Sequence, residues 1–351
     1  MRKEVLAAII TGILIGVVVA FGVWRANVAF KPENQSAQSQ SSSPTPQPTV
    51  IENGGITIAK PEQNQVIAET PVMISGLTKA SSWLAISAEE KDYILKAADN
   101  GEFEVSVELI GGANQLVTYA FAANGQEYTN NLILVYSTEF KSEVKEPTPT
   151  DGTTNEAESV SDKIQEKLKE ASKIPTAYLG TITDIAETTV QVRTLAGEIR
   201  QISVTSQTSY AKINKGSKNI GLSDVAIGDF IIAMGYKDEN EVLETQRLLV
   251  TEVVTLSQRK AILGTVVEVK KKELVVQLND GNQLSLIPSD DLEVTIEEEE
   301  KLTNIELEEL GVGDIIIAAG VDLKPNLETR RIHITEKAPE STPTSSPTPE
   351  E

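Results

Sequence analysis

Cysteine is absent from the 351 residues, and histidine occurs once, at His333. Without cysteine there is no disulfide, no thiolate zinc site and no lipid-modified thiol, so an exported body would have to be stabilised by packed cores alone. With a single histidine and no thiol, the usual nucleophile–base pairs of covalent catalysis are missing. Aromatic residues make up 4% of the chain, too few for broad stacking platforms for sugars or bases. Basic residues are also scarce: 31 Lys and Arg stand against 52 Asp and Glu, a formal net charge of −21. A polyanionic partner needs a basic face, and no Lys/Arg cluster of that kind occurs, which argues against nucleic acid as a partner.

What is present is a segment used twice. Asn219–Gly235 returns as Asn304–Gly320, Glu244-Thr-Gln-Arg247 as Glu328-Thr-Arg-Arg331, and Leu179–Ile185 as Leu263–Val269. The offset between copies changes by one residue only in the connecting loops, as a folded repeat requires. Each copy reads as short β-rich runs punctuated by turns. Asp280-Gly281 between alternating apolar runs is a hairpin signal, because both central residues must accept positive φ. Gly228-Asp229 and Gly313-Asp314 read as tight structural turns feeding buried strands, with backbone geometry rather than a ligand as the reason for the glycines. Leu222, Val225 and Ile227, with Leu307, Leu310 and Val312 in the second copy, are spaced to plug a helical turn onto a barrel end. Five or six strands in about 75 residues predict a small closed barrel of the OB or SH3 kind, over 176–256 and again over 259–336. The opening Leu179–Ile182, the turn Leu222–Asp229 and the closing Phe230–Gly235 resemble an uncharacterised bacterial family of small β-barrel domains. That resemblance implies a fold and no activity.

Val5 to Trp24 is a run without charge, long enough at about 1.5 Å per residue to span a bilayer core of about 30 Å. Residues 1–30 are expected to be a cytoplasmic tip and a transmembrane signal anchor, with Trp24 at the interface; a cleaved signal peptide is the alternative. Gly12 and Gly16 fit a helix-dimer motif. Residues 31–54 and the Pro/Thr/Ser tail 337–351 have little to bury and are expected to be disordered, with a further linker at 138–158. Residues 159–173 predict a short amphipathic helix, placing Val160, Ile164, Leu168 and Ala171 on one stripe. It would cover a barrel end or bind a partner.

Between 55 and 137, seven strand-like runs at roughly ten-residue spacing predict a β-sandwich. Pro71–Gly76, Ala98–Phe103 and Leu109–Asn114 resemble the bacterial Ig-like domain of the glucodextranase-associated type. Such domains are implied to be spacers or adhesion units. Trp83 lies in an apolar run and reads as a core residue.

No catalytic, cofactor-binding or metal-binding residue emerges. His333 is matched by Leu249 in the first copy, which argues against a shared catalytic role, and a structural or exposed position is expected. The acidic run Asp290, Asp291, Glu293 and Glu297–Glu300 lacks the alternating ligands and turn glycine of a calcium loop, and reads as a solvated loop. The first copy has Lys212, Lys215 and Lys218 in the equivalent place, and the two loops are expected to attract each other. Tyr178 and Tyr210 confine any aromatic groove to the first copy. The sequence thus predicts a mainly β, single-pass protein of the cell membrane, its bulk extracytoplasmic. It would be a non-catalytic binding or adhesion module with no cofactor and an envelope protein or glycan as partner, or alternatively a scaffold acting through protein contacts.

Overall fold

The computed structural model describes residues 55–140, 174–214, 216–298 and 301–339. The first part holds β1 (Thr57–Lys60), β2 (Val66–Ile67), β3 (Val72–Leu77), β4 (Trp83–Ser87), β5 (Asp92–Lys96), β6 (Glu102–Val107), β7 (Gly112–Phe121) and β8 (Glu127–Tyr136). They form a three-stranded sheet, β1-β3-β6, and a five-stranded sheet, β2-β8-β7-β4-β5. The sheets face each other because alternate residues on each are apolar. Ile74, Phe103 and Val107 from one meet Leu84, Ile86, Leu116, Ala120 and Leu134 from the other.

The first repeat contains β9 (Thr176–Ile185), β10 (Thr189–Thr194), β11 (Ile199–Ser203), β12 (Ser209–Asn214), β13 (Gly216–Asn219), β14 (Phe230–Lys237) and β15 (Leu243–Thr251). Its sheet runs β11-β10-β9-β14-β15-β12-β13 and curls until β11 also meets β15 in parallel. The second repeat contains β16 (Arg259–Lys270), β17 (Glu273–Leu278), β18 (Gln283–Glu298), β19 (Lys301–Ile305), β20 (Ile315–Leu323) and β21 (Asn326–Glu336). Its order is β17-β16-β20-β21-β18-β19 with β17 also meeting β18. Here one 16-residue strand, with a register shift between Pro288 and Glu293, does the work of β11 and β12.

Both repeats bend at the same glycine. The β14–β15 register shifts between Met234 and Gly235, and the β20–β21 register between Ala319 and Gly320. A Cβ on Gly235 would lie 1.9 Å from the Glu244 carbonyl oxygen, and one on Gly320 1.9 Å from that of Glu328. Only glycine admits that backbone approach.

Of the fold class expected from the sequence, the mainly β character stands. The anchor over Val5–Trp24, the linker to residue 54, the helix over 159–173 and the tail beyond 339 lie outside the described residues. Among the described residues, no helix is long and apolar enough to cross a membrane. The expected membrane tether, the membrane as partner, the single-pass placement at the cell envelope and the envelope protein or glycan partner thus have no support among the described residues. The Ig-like sandwich and the two OB/SH3-like barrels, drawn as separate modules, are corrected to a continuous stack of sheets. The first part has eight strands rather than seven, with β2 joined to β8 in parallel. The segments read as connecting loops in the repeats form further strands, β12–β13 and the end of β18 with β19.

The physical reason for the stack lies in β14 and β20. Ile231 and Ala233 pack into one core while Phe230, Ile232 and Met234 pack into another shared with Val66, Ile133, Val135 and Phe140. Likewise Ile316 and Ala318 face their own repeat, while Ile317 and Ala319 pack against Ala85, Ile94 and Phe121. A strand apolar on both faces needs a layer on each side. Phe140, expected in a linker, is buried for the same reason.

Candidate ligand-binding groove

The residues expected as structural turns sit at equivalent places. Gly228 has φ 97° and Gly313 φ 98°. The Asp229 carboxylate accepts the Ala226 N–H at 2.9 Å, and that of Asp314 accepts the Gly311 N–H at 2.8 Å. Burial pushes the Asp314 carboxyl up, but the Ala338 and Gly311 N–H groups and the Lys337 ammonium outweigh it and hold it below the usual range. Of the residues expected to plug the repeats, Val225 and Leu310 are buried, whereas Ile227 and Val312 are 63% and 65% exposed. Val5 and Trp24 lie outside the described residues. Tyr178 lines a small pocket of about 180 Å³ rather than an aromatic groove; its ring is buried and its hydroxyl donates to the Glu241 carbonyl at 2.8 Å. Tyr210 packs against the same core.

A groove of about 830 Å³ opens elsewhere, between the outer face of β7–β8 and strands β16 and β17. Alternation puts Gln115, Val117 and Tyr119 of β7 on one face, beside Asn131, Thr129 and Glu127 of β8. The register sets Val117 opposite Asn131 and Tyr119 opposite Thr129. The facing wall carries Ser257, Gln258, Lys260, Asn279, Asp280 and Asp322. The Tyr119 hydroxyl donates to the Arg259 carbonyl at 3.0 Å and ties the walls together. Burial, then Asp322 and Glu127, raise the Tyr119 pKa. Burial, then Asp280, raise that of Glu127, with Lys260 opposing.

One end of the groove is closed by a charged network. The Gln115 N–H donates to Glu89 at 3.1 Å, and Glu89 in turn pairs with Arg259, whose guanidinium also donates to the Ala88 carbonyl. Burial pushes the Arg259 pKa down against the pull of Glu89. Two polar atoms here, the Gln115 side-chain oxygen on β7 and Arg259 Nε on β16, are buried without a hydrogen-bond partner among the described residues. A buried polar atom without a partner costs about 1–3 kcal/mol, so both weaken the junction of the walls.

Next to the groove, Arg330 clasps the β4–β5 turn. Its guanidinium grips Asp92 through Nε at 3.0 Å and Nη2 at 2.6 Å, and donates to the Glu89 and Ala88 carbonyls at 2.9 Å each. His333 lies behind it, buried, its ring 4.6 Å from that of Trp83. His333 Nδ1 is 3.0 Å from the Thr295 hydroxyl, which also lies 3.3 Å from the Ile332 carbonyl, and Nε2 is buried without a partner among the described residues. Burial, then Arg331, lower its pKa to about 4. The structural role expected for His333 and Trp83 is thus played at the junction of two sheets. The acidic run, expected as a solvated loop, lies largely on β18, where Glu293 pairs with Arg331 and, at 3.6 Å, with Lys91.

Sequence reasoning did not single out Gln115, Arg259 or Arg330. For Arg330 a signal existed: the repeated Glu-Thr-x-Arg motif has Gln246 in the first copy and Arg330 in the second. Gln115 and Arg259 left none, because their partners come from strands far away in sequence.

No protein-family model matches the chain, and no curated protein matches it. Three solved structures show a faint likeness. A Ca2+-stabilised adhesin from an Antarctic bacterium that binds ice is 16% identical, over 81% of this chain and 73% of that one, with a TM-score of 0.19. A 1.5-MDa bacterial ice-binding adhesin, in a study of its retention at the host cell surface, is 13% identical over 81% and 96%, with a TM-score of 0.18. A multidomain protein with nucleic acid binding domains from Streptococcus pneumoniae is 12% identical over 79% and 76%, at 0.14. Two of the three are thus adhesins, and superpositions this poor carry no argument about fold or function.

Proposed function

We propose that this protein is a non-catalytic binding module whose site is the groove between β7–β8 and β16–β17, and that its ligand is a polar molecule offering both hydrogen-bond donors and acceptors. The observation that carries this reading is the polar lining of both walls, Gln115, Glu127, Thr129 and Asn131 on one and Gln258, Lys260, Asn279 and Asp280 on the other, which together offer donors and acceptors. Their amides, hydroxyls and carboxyls suit a ligand with several polar groups and little apolar bulk. Tyr119 supplies a single ring edge, which fits recognition by hydrogen bonds more than by stacking.

The test is ligand-observed NMR on the full-length chain with a set of small polyols, primary amides and amines. At least one class should bind, and Gln115→Leu should weaken it about tenfold, since a lost hydrogen bond in a desolvated site costs about 1–2 kcal/mol. Lys260→Glu should shift the preference between amines and acids. If no class binds, or if binding ignores both substitutions, the groove is not the site.

A further inference from the structure

Each repeat ends its sheet in an exposed hairpin arm, and the two arms are opposite in charge. In the first repeat the arm is β12–β13, and β13 is the outermost strand, exposed along its whole length. Between Ser209 and Asn219 it carries Lys212, Lys215 and Lys218 and no carboxylate. In the second repeat the arm is the end of β18 with β19, and β19 is outermost. Between Val294 and Ile305 it carries Glu297, Glu298, Glu299 and Glu300 against Lys301 alone.

Three observations point outward from these arms. Lys212 and Lys218 are direct partners across the hairpin, both exposed. Like charges so placed destabilise a hairpin unless an anion is supplied from outside. Glu297 and Glu298 are exposed as well, and among the described residues none of these four side chains takes part in an ion pair, so the two arms do not neutralise each other within the chain. The edges are also free to pair. The Ile220 N–H donates to the Tyr210 carbonyl at 3.2 Å, which fixes the alternation so that the backbone of Ser217 and Asn219 faces away from β12. On the other arm, Leu302 is 52% exposed.

We infer that the partner of these arms is a second copy of this chain: β13 of one molecule adds to β19 of the next, lysines against glutamates. An unpaired edge is a template for another strand, and the charges select which edge it accepts. Because the two surfaces differ and lie on one molecule, the contact is head-to-tail and generates a ring where the rotation closes or a growing chain where it does not. The net charge of −21 opposes association as a whole. That repulsion is screened beyond about 10 Å at 0.1 M salt, whereas the arm contact acts at shorter range.

The experiment is sedimentation of the full-length chain over a range of concentrations at 0.1 M salt. The wild type should form a series of growing oligomers. Lys212→Glu with Lys218→Glu should weaken association about tenfold or more, as should Glu297→Lys with Glu298→Lys. A one-to-one mixture of the two double variants should associate again, because each now offers what the other lacks. Ser217→Pro, which leaves the lysines in place but puts a ring on the outward edge, should also weaken it. A wild type that is monomeric throughout overturns the inference. So does association that ignores the charge reversals, as would be expected of the apolar run Val5–Trp24.

Discussion

At the scale of single residues, the side chains that matter most are polar groups out of water. His333 is the clearest case. Its pKa in the folded chain is about 4, below the ordinary 6.5, because burial and Arg331 disfavour the imidazolium. As pH falls below 6.5 the unfolded chain takes the proton first. The stability contributed by neutral His333 is therefore complete above pH 6.5 and is lost as pH falls through about 4, an effect of about 3 kcal/mol at most. His333→Leu, the residue at the equivalent position in the first repeat, should flatten the difference in denaturant midpoint between pH 7 and pH 4. If the pH dependence is unchanged, His333 is not the group that titrates. The sequence showed that His333 has no counterpart in the first repeat and left it either structural or exposed; the structure buries it. The sequence did not show Trp83 as its neighbour, because β4 and β21 are brought together by the packing of sheets and by no local signal.

At the scale of elements, the repeats are defined by where their strands bend. Gly235 and Gly320 occupy the same bulge, and in both a side chain would drive into a neighbouring carbonyl. Gly235→Ala and Gly320→Ala should each lower stability by about 1–3 kcal/mol, measured by urea unfolding. Gly197→Ala serves as a comparison in open space, where only the positive φ of 83° is strained. Much at this scale was legible. Asp280-Gly281 and Asn124-Gly125 do separate β17 from β18 and β7 from β8. The runs Phe230-Ile-Ile-Ala-Met234 and Ile315-Ile-Ile-Ala-Ala319 read as buried strands, and the structure covers both of their faces. What hid was parallel pairing, as between β11 and β15 or β18 and β21, since its partners are distant in sequence and no turn links them. The hairpin arms hid for another reason: charged strands without an apolar face read as loops.

At the scale of the molecule, two unlike devices hold the repeats to the five-stranded sheet. The first repeat is joined by main chain: the Val66 N–H donates to the Pro175 carbonyl at 2.9 Å and the Ala177 N–H to the Asn64 carbonyl at 2.8 Å, above the shared core of Phe140, Ile133 and Met234. The second is joined by side chains: arginines, beside the apolar contact of Ile317 and Ala319 with Ala85, Ile94 and Phe121. Removing Arg330 would leave Asp92, fully buried, without its counter-charge. Breaking a buried pair by deleting one partner costs about 3–5 kcal/mol, so Arg330→Ala should lower the unfolding midpoint sharply, and Arg330→Ala with Asp92→Ala should recover part of the loss. A loss in the double variant equal to the sum of the losses in Arg330→Ala and Asp92→Ala would mean that the pair contributes nothing beyond its separate residues. The groove was illegible from sequence for the same reason that the stack was: it has one wall from each side of this junction, and neither wall is a motif. The clasp also has a mechanical meaning. A pull applied at the far end of the second repeat meets side chains before it meets any ladder of strands, and a few charged bonds loaded together give way abruptly. The first repeat, zipped to its neighbour by backbone, would hold while the second swings free, so the groove wall formed by β16 and β17 would leave before any sheet unravels.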